Sequence, residues 1–161
     1  MKLQAIAILT FLTFANVMAQ ETTTTKYINS TDMEALKLTQ EWDKTFPQSD
    51  KVEHTKITFH NRYGITIAAD LYKPKNTQGR LAVIAVSGPY GAVKEQVSGR
   101  YAQTLAERGF LTIAFDPSYY GESGGTPRYL TSPEISTEDF SAAVDYLTSL
   151  SLIHISEPTR H

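Results

Sequence analysis

A serine flanked by glycines is the first residue of this sequence that could carry chemistry. Gly121–Gly125 has the sequence Gly-Glu-Ser-Gly-Gly, the spacing found around a serine nucleophile that attacks an acyl group. Such a serine lies on a tight turn from a strand directly into a helix, so that its hydroxyl is exposed. Here Asp116–Tyr120 separates the preceding strand from the first glycine, and Pro127 and Pro133 predict a loop afterwards. We predict that Ser123 belongs to a structural turn, with the role of nucleophile as the alternative.

The other groups that acyl transfer requires are a histidine base, a carboxylate that orients it, and N–H donors for the oxyanion. His54 and His60 lie in a predicted hairpin, where we expect both to be surface strand residues. His154 and His161 are close to the C-terminus. There is no cysteine, and no two histidines have the spacing of a metal site, so we predict neither a metal site nor a cofactor.

Two apolar strands and a helix between them must position these groups. Leu81–Val86 and Leu111–Phe115 are unbroken apolar runs, typical of strands buried on both faces of a parallel sheet. Between them, the spacing of apolar residues predicts a helix that begins near Lys94 and ends at Gly109. Its predicted core-facing stripe is Val97, Tyr101, Leu105 and Ala106, while Lys94, Glu95, Arg100, Glu107 and Arg108 are expected to face away.

An antiparallel hairpin is predicted before this βαβ unit. Thr55–Phe59 and Ile65–Leu71 alternate apolar and polar residues around a turn at Asn61–Gly64. Both runs have one apolar face, so the hairpin is expected to cover one side of the core.

Two further helices are predicted. Ser30 or Thr31 could cap a helix over Asp32–Phe46, which Pro47 would end. Ser136 and Asp139 predict the start of a second helix. The apolar face of that helix would comprise Phe140, Ala143, Val144 and Leu147.

Three segments resemble the α/β-hydrolase superfamily, in particular its dienelactone-hydrolase-like and X-Pro-peptidase-like members. They are GPYGAVKEQ (Gly88–Gln96), YAQTLAERGF (Tyr101–Phe110) and AFDPSYYGESGGTPR (Ala114–Arg128). Their shared order and spacing make the resemblance more specific than any one glycine-rich turn. The resemblance implies an α/β fold comprising the N-terminal part of a hydrolase sheet, truncated before the nucleophile strand. It also implies that the fourth strand lies between the second and the third.

The function implied by this resemblance is hydrolysis of an ester, a lactone or an amide through a Ser or Cys nucleophile. The chain would be a fragment of an exported hydrolase, with the nucleophile, the triad acid and the catalytic histidine all absent from it. We therefore expect the fragment to be inactive. The alternative is a non-catalytic exported binding domain of the same fold.

Part of an oxyanion hole is the catalytic feature that the resemblance does place in this chain. Aligning Gly88–Gly91 with the family's loop after the third strand assigns one donor to the backbone N–H of Tyr90. Pro89 has no N–H and cannot take that role. Gly88 stands where the family commonly has histidine, and a simple strand-to-helix turn remains the alternative.

Other residues near the two turns have broader predictions. Asp116 ends a strand, and we expect it to brace its turn, because the family's triad acid lies on a later strand. Lys94 and Arg128 are compatible with solvated side chains and with ion pairs. Tyr119 and Tyr120 are compatible with lining a substrate cleft and with packing.

The two ends of the chain are expected to lie outside the folded domain. Residues 1–19 have a short basic start, an apolar stretch and Val17–Ala19, the features of a cleaved signal peptide, which predicts export to the periplasm or the medium without a stable membrane anchor. Residues 20–50 would form a tether and helix, and residues 51–149 the partial hydrolase domain. Residues 150–161 resemble the translation of a transposase sequencing adapter, and we expect them not to be native.

Composition sets the class of partner. The formal net charge is −2 and 41% of residues are hydrophobic, which gives no reason to expect nucleic acid. The expected partner is a small-molecule or peptide acyl substrate. The sequence makes no prediction of oligomeric state.

Overall fold

The computed structural model describes residues 35–77 and 79–150, which all belong to one compact unit. These residues form one mixed sheet and two helices. The strands are β1 (Val52–His60), β2 (Thr66–Pro74), β3 (Val83–Val86) and β4 (Leu111–Phe115), and the helices are α1 (Val97–Ala106) and α2 (Pro133–Ser149). None of the helices in the described ranges is long and apolar enough to span a bilayer. The predicted signal peptide, residues 1–19, and all but Leu150 of the predicted non-native end, residues 150–161, lie outside the described residues.

The sheet has the strand order β1-β2-β4-β3. The predicted hairpin is confirmed: β1 and β2 are antiparallel, with Phe59 opposite Ile67. Strand β4 pairs antiparallel with β2 and parallel with β3, so α1 connects two neighbouring parallel strands. The α/β fold and the position of the fourth strand between the second and third are therefore confirmed.

Alternating residues of β4 face two separate cores. Leu111, Ile113 and Phe115 pack with Ala143 and Leu147 of α2. Ala114 packs on the other side of the sheet in a cluster with Ala102 and Ala106 of α1 and Tyr72 of β2. Because successive side chains of a strand point to opposite faces, the two helices cover opposite faces of the sheet. Strand β4 is consequently buried along its whole length.

The predicted core-facing stripe of α1 is correct for Ala106, which is fully buried, and wrong for Val97 and Tyr101. Val97 and Tyr101 are half or more exposed. The buried face consists of small or polar residues, namely Ser98, Gly99, Ala102, Gln103 and Ala106. A Cβ on Gly99 would meet the Tyr72 hydroxyl and the Phe46 ring at 3.1 Å, so the helix packs too closely for large side chains on this face. Periodicity found the helix and missed the face, because close packing selected small residues.

Strand β3 is less buried than predicted. All four of its residues are only partly buried, whereas β4 is fully buried. Within residues 35–77 and 79–150, β4 is the neighbour on one side of β3 and no strand pairs with the other side. A strand at the edge of a sheet keeps one row of N–H and C=O groups unpaired.

The predicted helix over Asp32–Phe46 is absent from residues 35–46, which have no regular secondary structure. Tertiary contacts hold this segment instead. The Trp42 indole N–H donates to the Phe46 carbonyl oxygen at 2.8 Å, and the two rings meet edge to face. The Thr45 N–H donates to the Glu95 carbonyl oxygen at 2.9 Å. The segment thereby supplies apolar contacts beside the small-residue face of α1.

Helix α2 begins earlier than predicted. Ser132 is its N-cap, accepting a hydrogen bond from the Ile135 N–H, and Pro133 occupies the first turn, where a missing N–H costs nothing. Ala143 and Leu147 are buried as predicted, whereas Phe140 and Val144 are more than 40% exposed. Asp139, predicted to belong to the cap, is fully buried. Its carboxylate accepts hydrogen bonds from Asn61 and from the Ser118 N–H, each at 2.8 Å.

We predict that Ala85→Pro reduces concentration-dependent self-association of the chain. The Ala82 carbonyl oxygen accepts the Leu111 N–H, and in a parallel pair every second residue of a strand bonds to the same neighbour. Ile84 and Val86 therefore also bond to β4. Val83 and Ala85 direct their N–H and C=O groups to the open edge. Proline at position 85 removes one open-edge donor and no β3–β4 bond. Sedimentation velocity over a concentration series measures the effect. Ile84→Pro is the matched control, which should lower the melting temperature; equal self-association of Ala85→Pro and wild type would contradict the prediction.

Candidate functional site

A cavity of about 280 Å³ lies where β3 and β4 end. The carboxyl ends of parallel strands are the usual position of a ligand site in α/β sheets. The loop after β3, the loop after β4 and helix α2 all contribute to it. Its lining residues are Ser87, Gly88, Pro89, Tyr90, Gly91, Phe115, Pro117, Tyr120, Thr131, Ser136 and Phe140. None of these side chains carries a charge, so the cavity suits an uncharged group.

The Tyr90 N–H lies in the short turn that borders this cavity. The Ala92 N–H donates to the Pro89 carbonyl oxygen at 3.0 Å and closes the turn around Tyr90. Among residues 35–77 and 79–150, no acceptor pairs with the Tyr90 N–H. A backbone N–H that is to bind an oxyanion must have no other acceptor in the ligand-free protein.

Aromatic rings form much of the cavity wall. Tyr90 and Tyr120 meet edge to face at 6.4 Å, and Phe115 meets Phe140 in the same way at 4.9 Å. The Tyr120 hydroxyl lies 2.7 Å from Thr131 Oγ1. Hydrogen bonding to Thr131 and Tyr120 lowers the pKa of the Tyr90 phenol. Of the adjacent residues Tyr119 and Tyr120, Tyr120 is the one that lines the cavity.

Ser123 is buried inside the turn after β4, with only 2% of its surface exposed. Its hydroxyl donates to the Asp116 carbonyl oxygen at 2.7 Å and accepts the Ala68 N–H at 2.9 Å. The side chain thus joins the turn to β2, and its hydroxyl is not presented to a substrate. The structure brings no histidine of the described residues to it: His54 bonds to Asp70 and His60 to Thr66.

Asp116 connects the two loops that border the cavity. One carboxylate oxygen accepts the Lys94 N–H at 2.7 Å, and the other accepts the Glu122 N–H at 2.9 Å. The side chain is fully buried. A Cβ on Gly121, which has φ +50°, would overlap the Asp116 carboxylate, so only glycine lets the turn close around it. Arg128 reinforces the turn by donating to the carbonyl oxygens of Ser123 and Gly121.

The expectation that Lys94 faces away from the core is wrong, and of the two environments left open for its side chain, solvent and an ion pair, the structure has the ion pair. Its side chain is fully buried, and its ammonium contacts Asp116 at 2.9 Å, Glu122 at 2.8 Å, and Glu95. Burial lowers the pKa of Lys94, but the nearby carboxylates of Asp116, Glu122 and Glu95 raise it above its usual value overall. The ammonium therefore stays charged in the interior.

A wider ion-pair network surrounds this lysine. Oxygens of Asp43, Glu95 and Glu122 lie within 4.8 Å of one another, a spacing that could hold a metal ion. Each carboxylate, however, already contacts a lysine ammonium. The pairs are Asp43 with Lys44 and Lys56, Glu95 with Lys94, and Glu122 with Lys56 and Lys94. The three ammonium groups supply the positive charge that a metal would bring.

The prediction that His54 is a plain surface residue is also wrong. Its Nε2 lies 2.8 Å from Asp70 Oδ1, and only 14% of its side chain is exposed. The rings of Trp42 and Tyr72 each lie 5.1 Å from it. Asp70 is fully buried, and its other oxygen lies 3.0 Å from the Lys44 ammonium. A charged residue in the middle of an apolar strand was the signal in the sequence for this network. His60 is exposed, as predicted.

Comparison with known proteins identifies the family. The sequence profile of the X-Pro dipeptidyl-peptidase (S15 family) matches residues 63–154, more than half of the chain. The chain belongs to this family. The predicted resemblance to X-Pro-peptidase-like α/β-hydrolases is thereby confirmed.

Three relatives extend this result. The chain is 67% identical to protein PA2218 of Pseudomonas aeruginosa over 129 residues, covering 80% of this chain and 34% of that protein. It is 50% identical to protein YcjY of Escherichia coli, over 62% of this chain and 34% of YcjY. It is 38% identical to the thiohydrolase aneE of Aspergillus aculeatus, over 44% of this chain and 24% of aneE.

The crystal structure of PA2218 has the same arrangement. It superposes with a TM-score of 0.73 at 68% identity, covering 75% of this chain and 38% of that one. The chain thus spans about a third of the length of PA2218 and of YcjY. The family shares a general hydrolase fold, and the described residues form its N-terminal part.

We predict that Gly121→Ala destabilises the fold more than Gly64→Ala does. Both glycines have positive φ, which costs alanine roughly 1–2 kcal/mol. A Cβ on Gly64 meets nothing within 4 Å, whereas one on Gly121 overlaps the Asp116 carboxylate, adding about 1–3 kcal/mol. Urea denaturation of the two variants measures the difference. Equal free energies of unfolding would show that Asp116 does not hold the turn.

We predict that stability is lost as the pH falls from about 4.5 to about 2. Burial raises the pKa of Glu122, but hydrogen bonds from Lys94, the Thr39 N–H and Lys56 outweigh it and lower this pKa from 4.5 to about 2. A pKa depressed by folding stabilises the native state above the unfolded-state pKa, and this stabilisation disappears as pH falls through the folded-state pKa. The melting temperature should decrease across this window.

The variant Glu122→Gln should flatten that pH dependence, since the side chain no longer titrates. Glu53→Gln is the control, because the Glu53 side chain is more than half exposed and lies 3.8 Å from Lys73. Thermal denaturation between pH 6 and pH 2 compares the variants. If the melting temperature of Glu122→Gln falls with pH as steeply as that of the wild type, Glu122 is not the source of this pH dependence.

Proposed function

We propose that the chain is the N-terminal part of an exported hydrolase that cleaves an ester, a lactone or an amide through an acyl-enzyme. The observation that carries the proposal is the unpaired Tyr90 N–H beside an uncharged cavity at the ends of β3 and β4. Family membership supports it, and so does the 38% identity to a protein named as a thiohydrolase. Thioester, ester and amide cleavage all pass through a tetrahedral oxyanion.

In this proposal the chain's own contribution is electrostatic. The substrate carbonyl enters the cavity with its oxygen toward Tyr90, and the N–H donates a hydrogen bond as negative charge develops on that oxygen. The nucleophilic Ser or Cys attacks the carbonyl carbon, and a histidine takes the nucleophile's proton and returns it to the leaving group. Water then hydrolyses the acyl-enzyme. The nucleophile, histidine and acid come from the part of the protein that this chain does not span.

The substrate side of the proposal follows from the cavity. Its rings and prolines favour an uncharged, apolar acyl or leaving group, because a charge would lose its hydration there without a partner.

Export is proposed from the signal-peptide features of residues 1–19. N-terminal sequencing of the protein from cells would test it, with Gln20 expected as the first residue and Met1 as the contrary result.

A non-catalytic exported binding domain of the same fold is the second candidate. The buried, fully bonded hydroxyl of Ser123 favours it for this chain taken alone, since the serine with the Gly-x-Ser-x-Gly spacing is not aimed at the cavity. The coding sequence beyond Ser149 in genomic DNA separates the candidates. A strand followed by Gly-x-Ser/Cys-x-Gly supports the hydrolase, and its absence supports the binding domain.

We predict that the 161-residue chain does not hydrolyse 4-nitrophenyl acetate above the buffer rate, and that Ser123→Ala changes nothing in this assay. The intact protein should hydrolyse this ester and lose activity when its elbow Ser or Cys becomes Ala. Release of 4-nitrophenolate at 405 nm measures both. If the 161-residue chain hydrolyses the ester and Ser123→Ala abolishes that activity, the proposal is wrong and Ser123 is the nucleophile.

A further inference from the structure

The buried Lys94 ammonium links the two loops that line the cavity. Lys94 and Glu95 follow β3, whereas Asp116 directly follows β4 and Glu122 lies further along the same loop. The ammonium contacts Glu95 in its own loop and, in the loop after β4, Asp116 at 2.9 Å and Glu122 at 2.8 Å. Charge-assisted hydrogen bonds are strong in a site shielded from water, so they resist separation of the loops.

The backbone of Lys94 restricts the position of Tyr90. The Lys94 N–H is fixed on Asp116 Oδ1 at 2.7 Å, and Lys94 is only four residues beyond Tyr90. Because the other end of this loop is fixed by β3 at Val86, the segment between them has little freedom. A movement of Lys94 relative to Asp116 must therefore move the turn that contains the Tyr90 N–H.

We propose that Lys94 is a positioning residue, whose buried positive charge sets the place of the Tyr90 N–H relative to the Tyr120 wall of the cavity. This inference rests on the proposed oxyanion role of Tyr90. Without the ammonium, Asp116 and Glu95 would lose their lysine partner and Glu122 would keep only Lys56, so three like charges would lie close together in a largely buried site with too little positive charge. They would separate or take up protons, and either response displaces the loop after β3.

The absence of cysteine from the sequence allows the charge to be removed and restored at one position. The variant Lys94→Cys is alkylated in urea with iodoacetamide, which leaves a neutral side chain, or with 2-bromoethylamine, which rebuilds a lysine-like ammonium. The matched control is Lys73→Cys with both treatments, since Lys73 is 39% exposed and its nearest carboxylate oxygen, in Glu53, is 3.8 Å away. Each protein is refolded, and its folding is checked by its melting temperature.

The readout is the amide NMR signal of Tyr90, without ligand and during titration with benzyl acetate, a neutral ester. We expect the neutral Lys94→Cys derivative to shift the Tyr90 signal and to weaken benzyl acetate binding by roughly tenfold or more. The aminoethylated derivative should restore both, and the two Lys73→Cys derivatives should match wild type. An unchanged Tyr90 signal in the folded neutral derivative, or no restoration by the ammonium, would overturn the inference.

If benzyl acetate does not perturb Tyr90 in the wild type, the proposed function fails, while the ligand-free Tyr90 signal still decides the positioning role. If the neutral derivative does not refold, Glu95→Gln replaces it, because Glu95 contacts the same ammonium and belongs to the same loop. A Tyr90 signal that moves in Glu95→Gln supports the inference, and one that does not move overturns it.

Discussion

The carboxylate of Asp116 holds together the part of this structure that matters for function. It receives the backbone N–H of Lys94 from one loop and that of Glu122 from another, and it carries the Lys94 ammonium as well. A buried carboxylate without such donors would be unstable, so the fold must supply all of them. This requirement explains three otherwise separate features. They are the glycine at position 121, the buried Lys94, and a second carboxylate beside that lysine, which belongs to Glu122.

Strand β4 gives this carboxylate its position. It lies between β2 and β3, it is buried throughout, and it ends at Phe115, directly before Asp116. Helices on opposite faces cover it, with small residues from α1 on one side and Ala143 and Leu147 from α2 on the other. The segment before β1 adds Trp42 and Phe46 near the α1 face and connects to the ion network through Asp43 and Lys44. Rigid support of this kind is what a preorganised site requires.

The cavity and the family membership together give the chain a place in the hydrolase fold. The S15 family profile and PA2218 cover most of the described sheet. Within it, the chain contributes a turn with an unpaired N–H and a wall of aromatic rings. Ser123, despite its Gly-x-Ser-x-Gly spacing, serves the fold through two backbone hydrogen bonds. A sequence pattern shared with a nucleophile elbow therefore has a different physical role when no helix follows it directly.

The sequence by itself determined the class of fold, the hairpin, both strands of the parallel pair, and the turn after β4, because local periodicity and glycine positions encode them. It also indicated the family through three short segments. It did not determine which face of α1 is buried, because small residues carry little periodic signal and their burial depends on how closely Tyr72 and Phe46 approach. Nor did it determine that Lys94 and His54 leave the solvent. Their partners, Asp116 and Asp70, are 22 and 16 residues away in sequence, and only the tertiary structure places opposite charges beside them in the interior.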